Sequence, residues 1–338
     1  MNIPNDSGHP WRLEKFVEYQ RFAPAVDPLT YTEYAKRHNL DPDECVYFAW
    51  LHSVCYCEVT ATLLFERLNF RTVSPMEVKR FWRENKDKLI FQSARRYVKN
   101  MDWFVPLMMK FLSAIRDNPI GEPYPFTWLV DLTEGQYYAR DRYKAIEEHL
   151  KKWKYMGRFS IDLFLEAIIT FNKAGLLPIK LENAGYDWNT TSNLTSGLLN
   201  IFYLDDMADA FDKGSLKITP DLQAFLDEKL QVVLHAAREK YPYDKLLDDV
   251  SIVNKICSFR NLFKGARYGG FHHDRQLGNI LHYRKVYPEY KELWDEWFEI
   301  RATVFPAYML GEYGGWTGIR KERKKLWIQK GLTGVEIP

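Results

Sequence analysis

Asp41-Pro42-Asp43-Glu44-Cys45-Val46-Tyr47-Phe48-Ala49-Trp50-Leu51-His52-Ser53-Val54-Cys55-Tyr56-Cys57-Glu58 is the stretch on which the fold class turns. It opens with helix-start signals in register. Asp41 is an N-cap, Pro42 suits the first helical position, and Glu44 stands where its carboxylate can reach back to the cap. No charged residue follows until Glu58. A helix uncharged over three to four turns is buried on most sides, so the pattern predicts one central helix over residues 45–68. His52, Tyr56 and Thr60 then share a stripe at spacing four, with Glu58 beside it. Such a stripe either lines a pocket or makes satisfied core hydrogen bonds.

The same start device recurs in Ser74-Pro75-Met76-Glu77 before residues 78–86, and Thr219-Pro220-Asp221 leads into residues 222–240. Strand-like alternation is scarce, so the chain reads as all-α with long loops at 118–125, 175–193, 267–270 and 311–318. A chain of 338 residues with 11 Trp, 21 Tyr and 21 Phe fills a large core readily. One large helical domain over residues 28–330 accommodates it, as do two closely docked lobes. Residues 1–27 read as an N-terminal arm and 331–338 as a tail.

The formal charge is +2, but the distribution is uneven: residues 251–288 carry seven Lys or Arg against one acid, Asp274. Arg320, Lys321, Arg323, Lys324, Lys325 and Lys330 extend this basic character. Cys45, Cys55, Cys57 and Cys257 are too few and too irregular for a disulfide framework and read as buried thiols in a reducing compartment. No signal peptide and no apolar run of membrane-spanning length is present, so the expected location is cytoplasmic, with no membrane partner.

Several segments carry candidate chemistry. Lys151 to Arg158 places four cations and two rings before an amphipathic helix, where phosphate would find free backbone N–H groups as well as side-chain charge. Asp162 and Glu166 continue the face of Arg158, which equally describes a solvated stripe with an intrahelical ion pair. Asn189-Thr190-Thr191-Ser192-Asn193-Leu194-Thr195-Ser196-Gly197-Leu198 is dense in hydroxyls and amides and leads into an apolar helix over 198–204. Its composition suits a phosphate or base edge, and helix caps use the same residues. Arg260 to Arg275 supplies cations, glycines, Tyr268 and Phe271 for stacking, and Asp274, a combination that fits nucleic acid. A metal site of His272, His273 and Asp274 is disfavoured because adjacent histidines rarely point the same way. Phosphate-loop, dinucleotide, nucleophile-elbow and zincin signatures are missing.

Taken in order, Tyr47 to Tyr56, Gly157-Arg158-Phe159, Leu165-Glu166, Ser192 to Leu198, Cys257 to Arg275 and Leu310-Gly311-Glu312 resemble the phage α-glutamyl/putrescinyl thymine pyrophosphorylases, or amino acid:DNA transferases. The resemblance spans residues 40–320. It departs from the family pattern where Gly185-Tyr186-Asp187-Trp188 lengthens the loop before the hydroxyl-rich element. The resemblance implies a DNA-glycosylase-like fold of the helix-hairpin-helix superfamily. It further implies DNA carrying 5-pyrophosphoryloxymethyl-deoxyuridine, made by an upstream DNA kinase, from which pyrophosphate is displaced by an amino acid or polyamine amine. On that chemistry Arg158, Arg267 and Arg275 are candidates to stabilise the departing anion, and Glu166, Asp187 or Asp274 to take the proton. Tyr268, Phe271 or Trp188 would hold an everted base. Tyr56, Ser192, Thr195, Ser196 and His273 complete the candidate substrate contacts. No organic cofactor and no resident metal site are expected, while a divalent ion can accompany the pyrophosphate. The competing readings are a base-excising glycosylase and a non-catalytic DNA-binding protein.

Overall fold

The computed structural model describes residues 11–22, 26–91, 101–117, 123–189, 192–240, 252–253, 255–257, 259–260 and 271–305. Among the described residues there are helices and no strand, so the all-α expectation is met. In chain order the helices are α1 (Trp11–Phe22), α2 (Val26–Arg37), α3 (Pro42–Cys55), α4 (Glu58–Arg67), α5 (Pro75–Asn85), α6 (Phe104–Arg116) and α7 (Pro125–Asp131). Next come α8 (Ala139–Lys151), α9 (Arg158–Lys173), α10 (Ser192–Ile201), α11 (Asp205–Asp212) and α12 (Pro220–Lys240). The last are α13 (Phe271–Val286) and α14 (Lys291–Val304), with a 3-10 turn (Pro288–Tyr290) between them. The chain forms two compact units of separated segments: Met1–Val26, Gly185–Asp274 and Ala307–Pro338 make the first, Asp27–Ala184 and Arg275–Pro306 the second.

The predicted helix starts are realised by their caps. Asp41 accepts from the Glu44 N–H at 2.9 Å while Glu44 accepts from the Asp41 N–H at 3.0 Å. Ser74 and Glu77 exchange the same pair of bonds, and the Thr219 hydroxyl accepts from the Leu222 N–H at 3.3 Å. Each satisfies backbone donors that the first turn leaves without an intrahelical partner.

In the second unit α3 is central, packing on α4, α7 and α9. Its residues from Cys45 to Cys55 are all buried, as the missing charges require. Trp50 stacks on Phe111 at 4.4 Å and meets Trp153 and Phe164 edge-on. Burying such a ring stabilises by roughly 4–6 kcal/mol before entropy is counted. Three of the cysteines, Cys45, Cys55 and Cys57, are buried as free thiols.

The expected single helix over 45–68 is instead two. Tyr56 turns left-handed at φ 59°, Cys57 is extended, and α4 restarts at Glu58. A bulky residue in that region costs about 1–2 kcal/mol. Partners distant in sequence offset it: the Tyr56 hydroxyl lies 2.8 Å from Ser160 Oγ, its ring packs on Phe159, and the Asn279 amide donates to Cys57 Sγ at 3.3 Å. The stripe His52, Tyr56, Thr60 is therefore not one helix face. Thr60 turns to the Ile90 carbonyl and the Tyr283 hydroxyl, both at 2.7 Å.

In the first unit α1 packs on α10 and α12, and α10 on α11, around Phe16, Trp188, Leu198, Leu226, Val233 and Phe259. The helix expected at 198–204 already begins at Ser192 and ends at Ile201. The hydroxyl-rich run thus forms helix rather than preceding it. Gly197 lets α10 pass close to Ile256 and Arg260. A Cβ there would stand 2.8 Å from the Ile256 carbonyl oxygen and 2.9 Å from Ile256 Cγ2.

Candidate functional site

Three helix ends converge inside the second unit. Asp27 lies in the first turn of α2, Glu58 in the first turn of α4, and His52 in the last turn of α3. The acids at the two helix N-termini complement the local helix dipole. One ligand-type atom from each of Asp27, His52 and Glu58 lies within 4.8 Å of the others. His52 Nε2 stands 3.9 Å from Asp27 Oδ2, with the two side chains 2% and 17% exposed.

The surroundings hold this centre in place. The Gln276 amide donates to Thr30 Oγ1 at 2.9 Å and to the Glu58 carboxylate, and buried Arg301 donates to Gln276 Oε1 at 2.9 Å. Tyr31 packs its ring 5.2 Å from both His52 and Phe171, which joins α2 to α3 and α9. Burial first, then the charge of Asp27, pushes the Glu58 carboxyl up to about 8. Gln276 and Arg301 pull in the opposite direction without restoring the ordinary carboxylate range.

Helix α9 supplies the sequence-predicted groups of this unit. Gly157 caps it, Arg158 opens it, and Glu166 is buried at 4% exposure on its inner face. Arg158 reaches Asp162 at 3.7 Å, the intrahelical pair that the spacing allowed, and its side chain keeps 35% exposure. In the preceding segment Trp153 is core and Lys151 pairs with Glu147 at 2.9 Å. Tyr56 is buried on Ser160. Arg275 also belongs to this unit, on α13.

The remaining candidates lie in the first unit. Asp187 is exposed and accepts from the Asn189 N–H at 3.1 Å. Trp188 is wholly buried, its indole N–H donating to Asp227 at 2.8 Å. Thr195 donates to the Trp188 carbonyl at 2.7 Å, and Ser196 donates to Asp212, which also receives the Arg260 guanidinium. These hydroxyls hold the fold of the unit. His273 and Asp274 are buried in the first turn of α13. Arg267 and Tyr268, the side chains of Ser192 and Phe271, the 311–318 loop and the C-terminal cations lie outside the described residues. The convergent trio among the described residues is Asp27, His52 and Glu58, not the adjacent His272, His273 and Asp274. Asp27, Gln276 and Arg301 had no local signal, whereas His52 and Glu58 stood out as polar groups in an uncharged run.

The described residues therefore define an all-helical protein with an acid and imidazole centre in one unit and a hydroxyl-rich helix in the other. The chain is similar to a serinyltransferase of Salmonella phage ViI, with 22% identity over 310 residues that cover 85% of this chain and 70% of the relative. No family model and no solved structure matches it. Among the described residues, no helix is long and apolar enough to cross a membrane.

Proposed function

We propose that this chain is a phage transferase that attaches an amino acid to a thymine derivative in DNA. The observation that carries the reading is the similarity to a phage serinyltransferase, which runs through 85% of the chain and so draws on both units. The finer proposal is a helix-hairpin-helix, glycosylase-like architecture acting on 5-pyrophosphoryloxymethyl-deoxyuridine prepared by a separate DNA kinase. The nucleophile, an amine of an amino acid or polyamine, bonds to the exocyclic carbon as the C–O bond to pyrophosphate breaks. The leaving anion carries off that electron pair, and the new ammonium loses a proton to a carboxylate.

Helix α9 suits the two ends of such a displacement. Arg158 at its N-terminus has a partly exposed guanidinium at the positive end of the helix dipole, which favours an anion. Glu166 follows on the same helix, ~12 Å along the axis at 1.5 Å per residue. That separation fits a leaving pyrophosphate at one end and a nucleophile at the other. In this proposal Arg158, with Arg275 and Arg267, stabilises the anion, and Glu166 is the base, Asp187 and Asp274 being the alternatives. Tyr268 and Phe271 hold the everted base. His273, Ser192 and Tyr56 complete the substrate contacts.

The test is to incubate the protein with DNA bearing the pyrophosphorylated base, together with serine, other amino acids or putrescine. Nucleoside mass spectrometry should find a heavier nucleoside in step with pyrophosphate release. Free base with abasic sites would identify a glycosylase instead, and unchanged DNA with every amine would overturn the reading.

A further inference from the structure

We propose that Asp27, His52 and Glu58 form a binding site for one divalent cation of the manganese, iron or zinc type. The three side chains come from three helices, and one ligand-type atom of each lies within 4.8 Å of the others. An ion bound at about 2.1 Å by such atoms holds neighbouring ligands ~3–4 Å apart. The 3.9 Å between His52 Nε2 and Asp27 Oδ2 is already in that range. It is too long for a direct hydrogen bond between these two atoms and wide enough for an ion. Small side-chain rotations close the remaining distance.

Charge and donor type agree. Once deprotonated to bind a metal, the two carboxylates outnumber the cation Arg301, which acts at one remove through Gln276, and leave the pocket net negative. A divalent ion would reverse that. One imidazole with two carboxylate oxygens is a mixed nitrogen and oxygen set, which favours first-row transition ions over calcium or magnesium. The Arg301, Gln276, Glu58 relay fixes the orientation of one carboxylate from behind, as outer residues do for metal-bound groups. Asp27, with 17% of its side chain exposed, gives the ion a path from solvent.

The test uses the full chain, freed of metal by chelation and titrated with Mn2+, the bound fraction being read from loss of the free-ion paramagnetic signal. The expected result is about one Mn2+ per chain, displaced by Zn2+. Asp27→Asn and Glu58→Gln should weaken binding roughly tenfold or more. His52 and Glu58 are buried, so a variant there can fail to fold. A measurement on the parent protein avoids this: electron spin echo spectra of bound Mn2+ should carry the nitrogen modulation of one imidazole. Absence of stoichiometric Mn2+ and Zn2+ binding overturns the site. So does Mn2+ held equally well by Asp27→Asn with no imidazole nitrogen signal. None of these readouts requires DNA or transfer, so the site and the transferase reading fail or stand separately.

Discussion

Replacing Gly197 with alanine sets two opposing effects against each other inside the first unit. Alanine is the better helix former by about 1 kcal/mol, so on α10 alone the change would stabilise. The added methyl, however, would stand 2.8 Å from the Ile256 carbonyl oxygen, 2.9 Å from Ile256 Cγ2 and 3.3 Å from Arg260 Cβ. A backbone carbonyl within a helix cannot swing aside, so α10 must retreat by several tenths of an ångström. Overpacking of this kind costs about 1–3 kcal/mol. The same retreat would pull Ser196 and Arg260 away from Asp212, and each charge-assisted bond there contributes about 1.5–3 kcal/mol. With part of that bonding lost, the net destabilisation is ~2 kcal/mol, a fall in melting temperature of roughly 4–8 °C. Scanning calorimetry with helical circular dichroism measures it. Gly157→Ala is the control, because a Cβ at that cap meets no atom within 4 Å and the change should cost under about 1 kcal/mol. A Gly197→Ala protein as stable as its parent would refute the close approach of Ile256 and Arg260 to α10.

Trp188→Ala should cost about 3–5 kcal/mol in urea unfolding, since the ring is core and not a surface platform. Trp188→Phe, which keeps most of the ring, should cost far less. Arg158→Ala should slow single-turnover pyrophosphate release roughly a hundredfold if its charge meets the leaving group. Its melting temperature should stay at the parent value, because the Asp162 pair is half exposed. Burial, then Lys152 and Lys110, lower the His149 pKa below 6.5, so an NMR titration should find its midpoint there, and Lys152→Ala should raise it. With a depressed native value the unfolded chain takes up the proton first. This residue therefore costs native stability as pH falls through 6.5.

What could be read from sequence was what neighbours in sequence decide. The Asp41 and Ser74 capping boxes are reciprocal bonds across three residues, so their letters suffice. The uncharged run after Glu44 announced a buried helix correctly. The break at Tyr56 was invisible, because nothing local demands it and the partners that hold it, Ser160 and Asn279, lie far along the chain. The candidate metal centre shares this character. His52 and Glu58 looked odd in an apolar stretch, but Asp27 resembles any acid at a helix start, and Gln276 and Arg301 resemble surface polar residues. Trp188 misled in the opposite direction, since a ring in a loop invites a base-stacking role while packing had already claimed it.

The way each unit is stitched from separated segments bears on how the chain emerges from the ribosome. Helix α1 packs on α10 and α12, so its apolar face has neither partner until synthesis has passed residue 201 and lacks the second until residue 240. At roughly 5–20 residues per second that is a wait of about ten to forty seconds. Because the chain passes from one unit to the other near residues 26, 184, 274 and 306, no single cut releases a self-sufficient half. Newly made amino-terminal segments should therefore engage chaperones early, and fragments ending between residues 30 and 190 should be prone to aggregation.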